Sequence, residues 1–191
     1  MCSPKTIVTA AVAVLLSISS YAQGPYLGVF NSLKGIGAAL ELPGKEDSSE
    51  FNSFALYAEI FGIPTGRCSE PGVKFNWSHN FILWDTEKDS TGYSIYAGPG
   101  ISCGYMRDFE LGERKDDSLV LTKNPGIMAA LSGTGGARFT FSSKIALDLS
   151  FTLDLGIFVR KDEALNNFDL NLYRNGLAQS FYPQLSILVL L

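Results

Sequence analysis

The stretch "SKIALDLSFTLDLGIFVRK", residues 143–161, decides the fold class. Every odd position from Ile145 to Val159 is apolar, whereas the even positions include Asp148 and Asp154. This period of two belongs to a β-strand, whose successive side chains point to opposite faces, and not to an α-helix. The stretch is also much longer than the usual strand of about five or six residues. It predicts a long strand with one apolar face and one face that carries carboxylates.

Seven further segments show the same alternation of apolar and polar residues. Together with the first stretch they predict an all-β chain of eight antiparallel strands. This even number agrees with bacterial outer-membrane barrels, which have an even number of strands. The phase of the first strand stays open, because Asn31 interrupts its apolar side. The seven segments are residues 26–33, 36–42, 51–61, 73–83, 93–106, 127–141 and 181–191.

The connections between the strands alternate in length in the second half of the chain. Residues 85–91 and 142–144 are short connections, whereas residues 107–125 and 160–178 are long and polar. Short turns at one end and long loops at the other are typical of outer-membrane barrels. Residues 62–72 are then expected to form a third long loop at the outer end.

The N-terminus has the pattern of a secretory signal peptide. Lys5 precedes an apolar run at residues 7–18, and small residues stand at the −3 and −1 positions of a cut before Gln23. The run is too short to span a bilayer, which takes about 20 apolar residues. We therefore expect a signal peptide at residues 1–22 and one barrel domain at residues 23–191.

Composition excludes two classes of protein. The chain is 46% hydrophobic, yet no later segment contains the 18 consecutive apolar residues of a membrane-spanning helix. With 15 basic and 19 acidic residues and no basic run, the chain is mildly acidic, which argues against a nucleic-acid partner. If the protein contacts a membrane, it does so with strands.

The polar faces of the strands are too small and too poor in charge to form a solvated surface. A lipocalin-like soluble barrel would turn them to water and its apolar faces inward. A transmembrane barrel places the same small residues in a narrow interior that side chains fill, and its apolar faces against outer-membrane lipid. The second arrangement buries charges that must pair with one another. This expected interior network consists of Glu41, Glu59, Lys74, Arg138, Asp148 and Asp154.

His79 is the only histidine and the one candidate catalytic residue. Its position in the alternation places it on the outer face, as in barrels that modify lipid A. Ser78 points to the opposite face, so a catalytic triad would need a serine and a carboxylate from other strands. No cofactor or metal site is expected.

Two cysteines follow the signal peptide, Cys68 and Cys103. They are too few for a disulfide scaffold, and the sequence does not determine whether they pair with each other.

The chain resembles the small outer-membrane β-barrel proteins of Bacteroidetes-type bacteria, which are eight-stranded barrels of the OmpA/OmpX-like kind. The resemblance rests on "YSIYAGPGISCGYM", residues 93–106, and on the paired strands "IMAALSGTGGARFTFSSKIALDLSFTLDLGIFV", residues 127–159. It implies the fold and a location in the bacterial outer membrane, but no activity. The chain departs from the family at Leu191, where such barrels often end in an aromatic residue.

Three functions remain open at this point. The first is a non-enzymatic outer-membrane barrel without an open pore, with a structural role or with outer loops that contact an extracellular or periplasmic protein partner. The second is an enzyme that modifies lipid A or phospholipid through His79. The third is a soluble lipocalin-like binding barrel.

Overall fold

The structure is a computed structural model, in which eleven strands account for nearly all of the described residues. It describes residues 24–32, 35–44, 49–60, 71–88, 91–106, 110–111, 121–122, 126–141, 144–162, 167–175 and 183–191. None of these residues forms a helix that is long and apolar enough to cross a membrane. The strands are β1 (Tyr26–Asn31), β2 (Ile36–Pro43), β3 (Glu50–Glu59), β4 (Gly72–Lys88), β5 (Thr91–Met106), β6 (Glu110–Leu111), β7 (Leu121–Thr122), β8 (Gly126–Phe141), β9 (Ile145–Asp162), β10 (Asn167–Asn175) and β11 (Pro183–Leu190).

Eight of the strands close into an antiparallel barrel. Their order around the wall is β1-β2-β3-β4-β5-β8-β9-β11, and β11 pairs with β1 to complete the circle. The short strands β6 and β7 form a separate two-stranded ladder. The predicted all-β, eight-stranded antiparallel barrel is therefore confirmed.

The stagger of the strands sets the width of the barrel. A path through directly paired residues starts at Leu149 on β9, passes once around the wall and returns to β9 at Val159. This shift of about ten residues for eight strands corresponds to strands tilted by roughly 40°. A barrel of eight strands is just wide enough for side chains to fill its interior.

Strands β10 and β11 together fill the place of one strand in the barrel wall, next to β9. Asn175 of β10 pairs with Asp154 of β9, and Pro183 of β11 pairs with Phe151 of the same strand. Thus β10 and β11 run one after the other along a single edge of β9. The expected outer loop at residues 160–178 is wrong for its described part, because β9 continues through Asp162 and β10 occupies residues 167–175.

The two ends of the barrel differ in their connections. Strands β2, β4 and β8 end at one end of the barrel, where the first described residue, Gly24, and Leu191 also lie; we call this the turn end. The connections after β1, β3, β5 and β9 lie at the other, the loop end. Residues 85–88, expected in a turn, instead continue β4. Most of the expected loops at residues 62–72 and 107–125, and the expected signal peptide at residues 1–22, lie outside the described residues.

The predicted orientation of the strand faces is confirmed. On β9, Asp148 and Asp154 are buried in the interior, whereas Leu149 and Leu155 on the outer face are 47% and 51% exposed. The phase of β1, which the sequence left open, is now defined. Phe30 points inward and is buried, and Asn31 lies on the outer face at the end of the strand.

Candidate functional site

The first group of polar side chains inside the barrel surrounds a single guanidinium. Arg138 on β8 donates from Nη2 to Glu41 Oε2 on β2 at 2.5 Å, and its Nε lies 3.5 Å from Asp148 Oδ2 on β9. The Tyr96 hydroxyl on β5 donates to Asp148 Oδ1 at 2.9 Å. All four side chains are buried or nearly so. We call Arg138, Glu41, Asp148 and Tyr96 the arginine cluster.

Aromatic rings surround the same guanidinium. The Arg138 Cζ atom lies 4.6 Å from the ring centroid of Phe51, 5.6 Å from that of Tyr96 and 5.8 Å from that of Tyr26. Such cation–π contacts stabilise a cation that has lost its water. The expected network did not include Phe51, although its odd position on β3 places it on the same inward face as Tyr57.

The second group lies on the loop-end side of the interior. The Lys74 ammonium on β4 donates to Asp154 Oδ2, and the hydroxyls of Ser102 and Ser132 each donate to Asp154 Oδ1 at 2.8 Å. The Asn76 side-chain amide donates to the same two hydroxyls at 2.9 and 3.2 Å. We call Lys74, Asp154, Ser102, Ser132 and Asn76 the lysine cluster. The serines were not in the expected network, since sequence alternation places them inside without identifying their partners.

The expected network is thus divided into two clusters. The structure brings five of its six members together, with Glu41, Arg138 and Asp148 in the arginine cluster and Lys74 and Asp154 in the lysine cluster. The sixth member, Glu59, is also buried, at 4% exposure, near the loop end of β3. Residues from both clusters line a central cavity of about 30 Å³.

His79 lies on the outer wall, as predicted, within a small polar group. Its Nδ1 lies 3.2 Å from Asn52 Oδ1 and its Nε2 lies 3.3 Å from Glu50 Oε2, both on the neighbouring strand β3. Its ring meets that of Phe81 edge to face at 4.8 Å. Ser78 points inward and is 1% exposed. The sequence alone did not indicate Glu50 and Asn52, because their proximity depends on the register between β3 and β4.

Most of the other described side chains on the outer wall are apolar, and they lie on every strand of the barrel. A bulge between Ile82 and Trp84 leaves two consecutive side chains, Leu83 and Trp84, 67% and 55% exposed. The rings of Trp84, Tyr93 and Phe139 follow one another across three strands, with centroid separations of 5.5 and 4.7 Å. These rings form an aromatic row near the turn end.

Two further expectations concern cysteines and metals. Cys103 is a free, exposed thiol on the outer face of β5, and Cys68 lies outside the described residues. Within the part of the chain that the structure describes, no three His, Cys, Asp or Glu side chains are grouped to hold a metal ion.

Comparisons of the chain with protein-family models, with curated proteins and with solved structures found no match. The class of the protein therefore rests on its own geometry, that of a closed eight-stranded antiparallel barrel with charges inside and apolar side chains outside.

Proposed function

We propose that this protein is a bacterial outer-membrane β-barrel without an open pore, and that its function is structural or depends on its loops binding a partner. The observation that carries the proposal is the apolar outer face of a closed barrel. Leu27, Leu56, Ile101, Leu131 and Leu149 lie on five different strands, and each is between 47% and 72% exposed. The apolar surface of a soluble monomer is instead broken into patches of a few hundred Å².

The polar interior supports the same proposal. A soluble lipocalin-like barrel encloses an apolar cavity and turns polar side chains to water. Here the interior, where a lipocalin would bind its ligand, contains buried charges. They are the Arg138 guanidinium with the carboxylates of Glu41 and Asp148, and the Lys74–Asp154 ion pair. We therefore disfavour the lipocalin-like alternative.

Strand length and aromatic placement also fit a bilayer. A tilted strand crosses the hydrocarbon in about 9–11 residues, and β4, β5, β8 and β9 have 16 to 18 residues each. The row of Trp84, Tyr93 and Phe139 lies where an interfacial girdle is expected. Closure of the wall removes the unpaired strand edges that lipid penalises.

A filled interior argues against a channel. The two clusters occupy the middle of the barrel, and the cavity that they line has a volume of only about 30 Å³. The apolar side chains of Met128 and Phe158, which are directly paired across β8 and β9, are buried nearer the loop end. We therefore assign partner binding to the expected outer loops at residues 62–72 and 107–125, most of which lie outside the described residues.

Cell fractionation tests this proposal. We expect the protein in the outer-membrane fraction, with gel migration that changes on heating, and cleavage on intact cells of a protease site inserted at residues 112–120. A protease site inserted at residues 45–48, at the turn end, is the matched control and should stay intact. Recovery of the protein from the periplasm without detergent would overturn the proposal.

One observation favours a second candidate, an enzyme acting on membrane lipid. His79 on the outer wall has its Nε2 3.3 Å from the Glu50 carboxylate, a contact like the one by which an acidic residue orients the base of a catalytic triad. However, both ring nitrogens are engaged by Glu50 and Asn52, and the neighbouring Ser78 hydroxyl is buried in the interior. A structural role for His79 is therefore preferred.

The lipid A and phospholipid mass spectra of cells that carry His79→Ala distinguish the two candidates. Asn31→Ala, which removes a polar side chain from the outer face of β1, is the control. We expect identical spectra for both variants and the parent chain. A loss of one lipid species with His79→Ala alone would establish the enzyme.

A further inference from the structure

Most of the side chains that line the central cavity of the barrel carry oxygen atoms, although Phe30, Ala39 and Ala55 also contribute. Its volume of about 30 Å³ is enough for one small ion with one or two water molecules, since a single water needs about 10–15 Å³. The carboxylates of Glu41 and Asp148 form part of its lining, and so does the amide of Asn80. Hydroxyl groups supply much of the remainder, among them those of Ser53, Ser78, Thr134, Ser150, Thr152 and Ser186.

Asn80 lines this cavity and has a buried oxygen without a hydrogen-bond partner in the described part of the chain. The side chain is completely buried, and its Nδ2 donates to Ser78 Oγ at 3.0 Å. Its Oδ1 has no hydrogen-bond partner among the described residues. Since a buried acceptor without a partner is costly, this oxygen indicates a cation or a proton donor in the cavity.

The charges around the cavity are unbalanced. Glu41 and Asp148 share the single guanidinium of Arg138, so the arginine cluster carries one negative charge in excess when both carboxylates are ionised. The Tyr96 hydroxyl bonds to Asp148 but adds no positive charge. An uncompensated charge inside a protein is strongly unfavourable.

We propose that the cavity binds one monovalent cation the size of Na⁺, held by Asn80 Oδ1, the carboxylates of Glu41 and Asp148, and the surrounding hydroxyls. Carboxylate, carbonyl and hydroxyl oxygens are the donors that hard cations prefer. A single positive charge neutralises the arginine cluster, whereas a divalent ion would reverse the sign of the excess charge. This site depends on the barrel interior and not on the membrane location proposed above.

Thermal unfolding of the purified full-length chain in detergent micelles tests the site. We compare NaCl with N-methyl-D-glucamine chloride at the same ionic strength, because the large organic cation cannot enter the cavity. Binding to the folded state alone raises the midpoint temperature with the logarithm of the sodium concentration. Broadening of the ²³Na NMR signal by the folded protein is the direct measure of binding. Equal midpoints in the two salts and an unbroadened signal would show that water or a proton fills the cavity, and the proposal would be wrong.

Two variants connect the sodium effect to this cavity. Asn80→Leu removes the unsatisfied oxygen and is expected to weaken the apparent sodium affinity by about tenfold or more. Ser132→Ala removes a buried hydroxyl of the lysine cluster, outside the cavity lining, and should retain the parent's sodium response. If Asn80→Leu does not fold, Asp148→Asn replaces it, because it removes the excess charge. A sodium response that survives either folded variant unchanged would overturn the proposal.

Discussion

Removal of one partner from the buried Lys74–Asp154 pair should reveal how strongly the stability of the barrel depends on the interaction between these two charges. The two side chains are 9% and 0% exposed, so either charge left alone has little access to water. Breaking a buried ion pair from one side typically costs about 3–5 kcal/mol. We expect about 3 kcal/mol for Lys74→Met, the lower end of that range, because the hydroxyls of Ser102 and Ser132 still donate to Asp154 Oδ1.

The paired variant makes the prediction quantitative. Asp154→Asn is also expected to cost about 3 kcal/mol, since it leaves the Lys74 ammonium buried without a counter-ion. In the double variant neither charge remains, and the asparagine oxygen keeps both serine hydrogen bonds. Its cost should be about 3–4 kcal/mol rather than the sum of the two, a coupling of about 2–3 kcal/mol.

Guanidinium unfolding of the refolded barrel, followed by the fluorescence of Trp77 and Trp84, measures these free energies. Lys144→Met, an exposed lysine just before β9, is the matched control and should change stability by less than about 0.5 kcal/mol. Additive costs in the double variant, or a cost below about 1 kcal/mol for Lys74→Met, would refute the assignment of a sealed ion pair.

Two further predictions follow from contacts inside the barrel, and both are measured by the same unfolding experiment. Gly136→Ala should destabilise the barrel by about 1–3 kcal/mol, because a Cβ there would lie 2.4 Å from the Tyr96 hydroxyl oxygen. Gly133→Ala is its control, since a Cβ at that position meets no atom within 4 Å, and equal effects of the two would contradict the packing. Arg138→Leu should cost about 3–5 kcal/mol by leaving two buried carboxylates without their cation, and a neutral result would show that these groups are hydrated.

The sequence predicted which face of a strand points into the barrel because the two faces differ in polarity. A shift of β9 by one residue would exchange its apolar row with Asp148 and Asp154, so the alternation fixes the side of every residue. The same reasoning failed at β1, because Gly28 and Asn31 interrupt the alternation of apolar and polar residues. The inward face of β1 is defined only by its pairing with β2 and β11.

The expected loop at residues 160–178 shows a different limit. Arg160, Lys161 and Asp162 suggested a solvated connection, yet an apolar alternation resumes at Phe168, Leu170 and Leu172, and these residues form the exposed face of β10. The signal was present in the sequence, but the charged residues before it obscured it. The pairing of both β10 and β11 with one edge of β9 could not be predicted, because it depends on contacts between distant parts of the chain and not on the sequence of either strand.

The candidate sites were predictable in composition but not in grouping. The alternation of apolar and polar residues along the strands placed five charged residues in the interior: Glu41, Arg138, Asp148, Lys74 and Asp154. Their separation into two clusters depends on the stagger of about ten residues around the wall, which a single sequence does not contain. The same holds for the contacts of His79, whose partners come from across the β3–β4 register.

The most direct test of the central claim is the environment of the outer face in lipid vesicles. Nitroxide labels at Leu131 and Leu149, which are 72% and 47% exposed, should collide readily with oxygen and poorly with a water-soluble nickel chelate. A label at Lys144, at the turn end, should show the reverse. Labels at Leu131 and Leu149 that are accessible to the nickel chelate and shielded from lipid-dissolved oxygen would contradict the account.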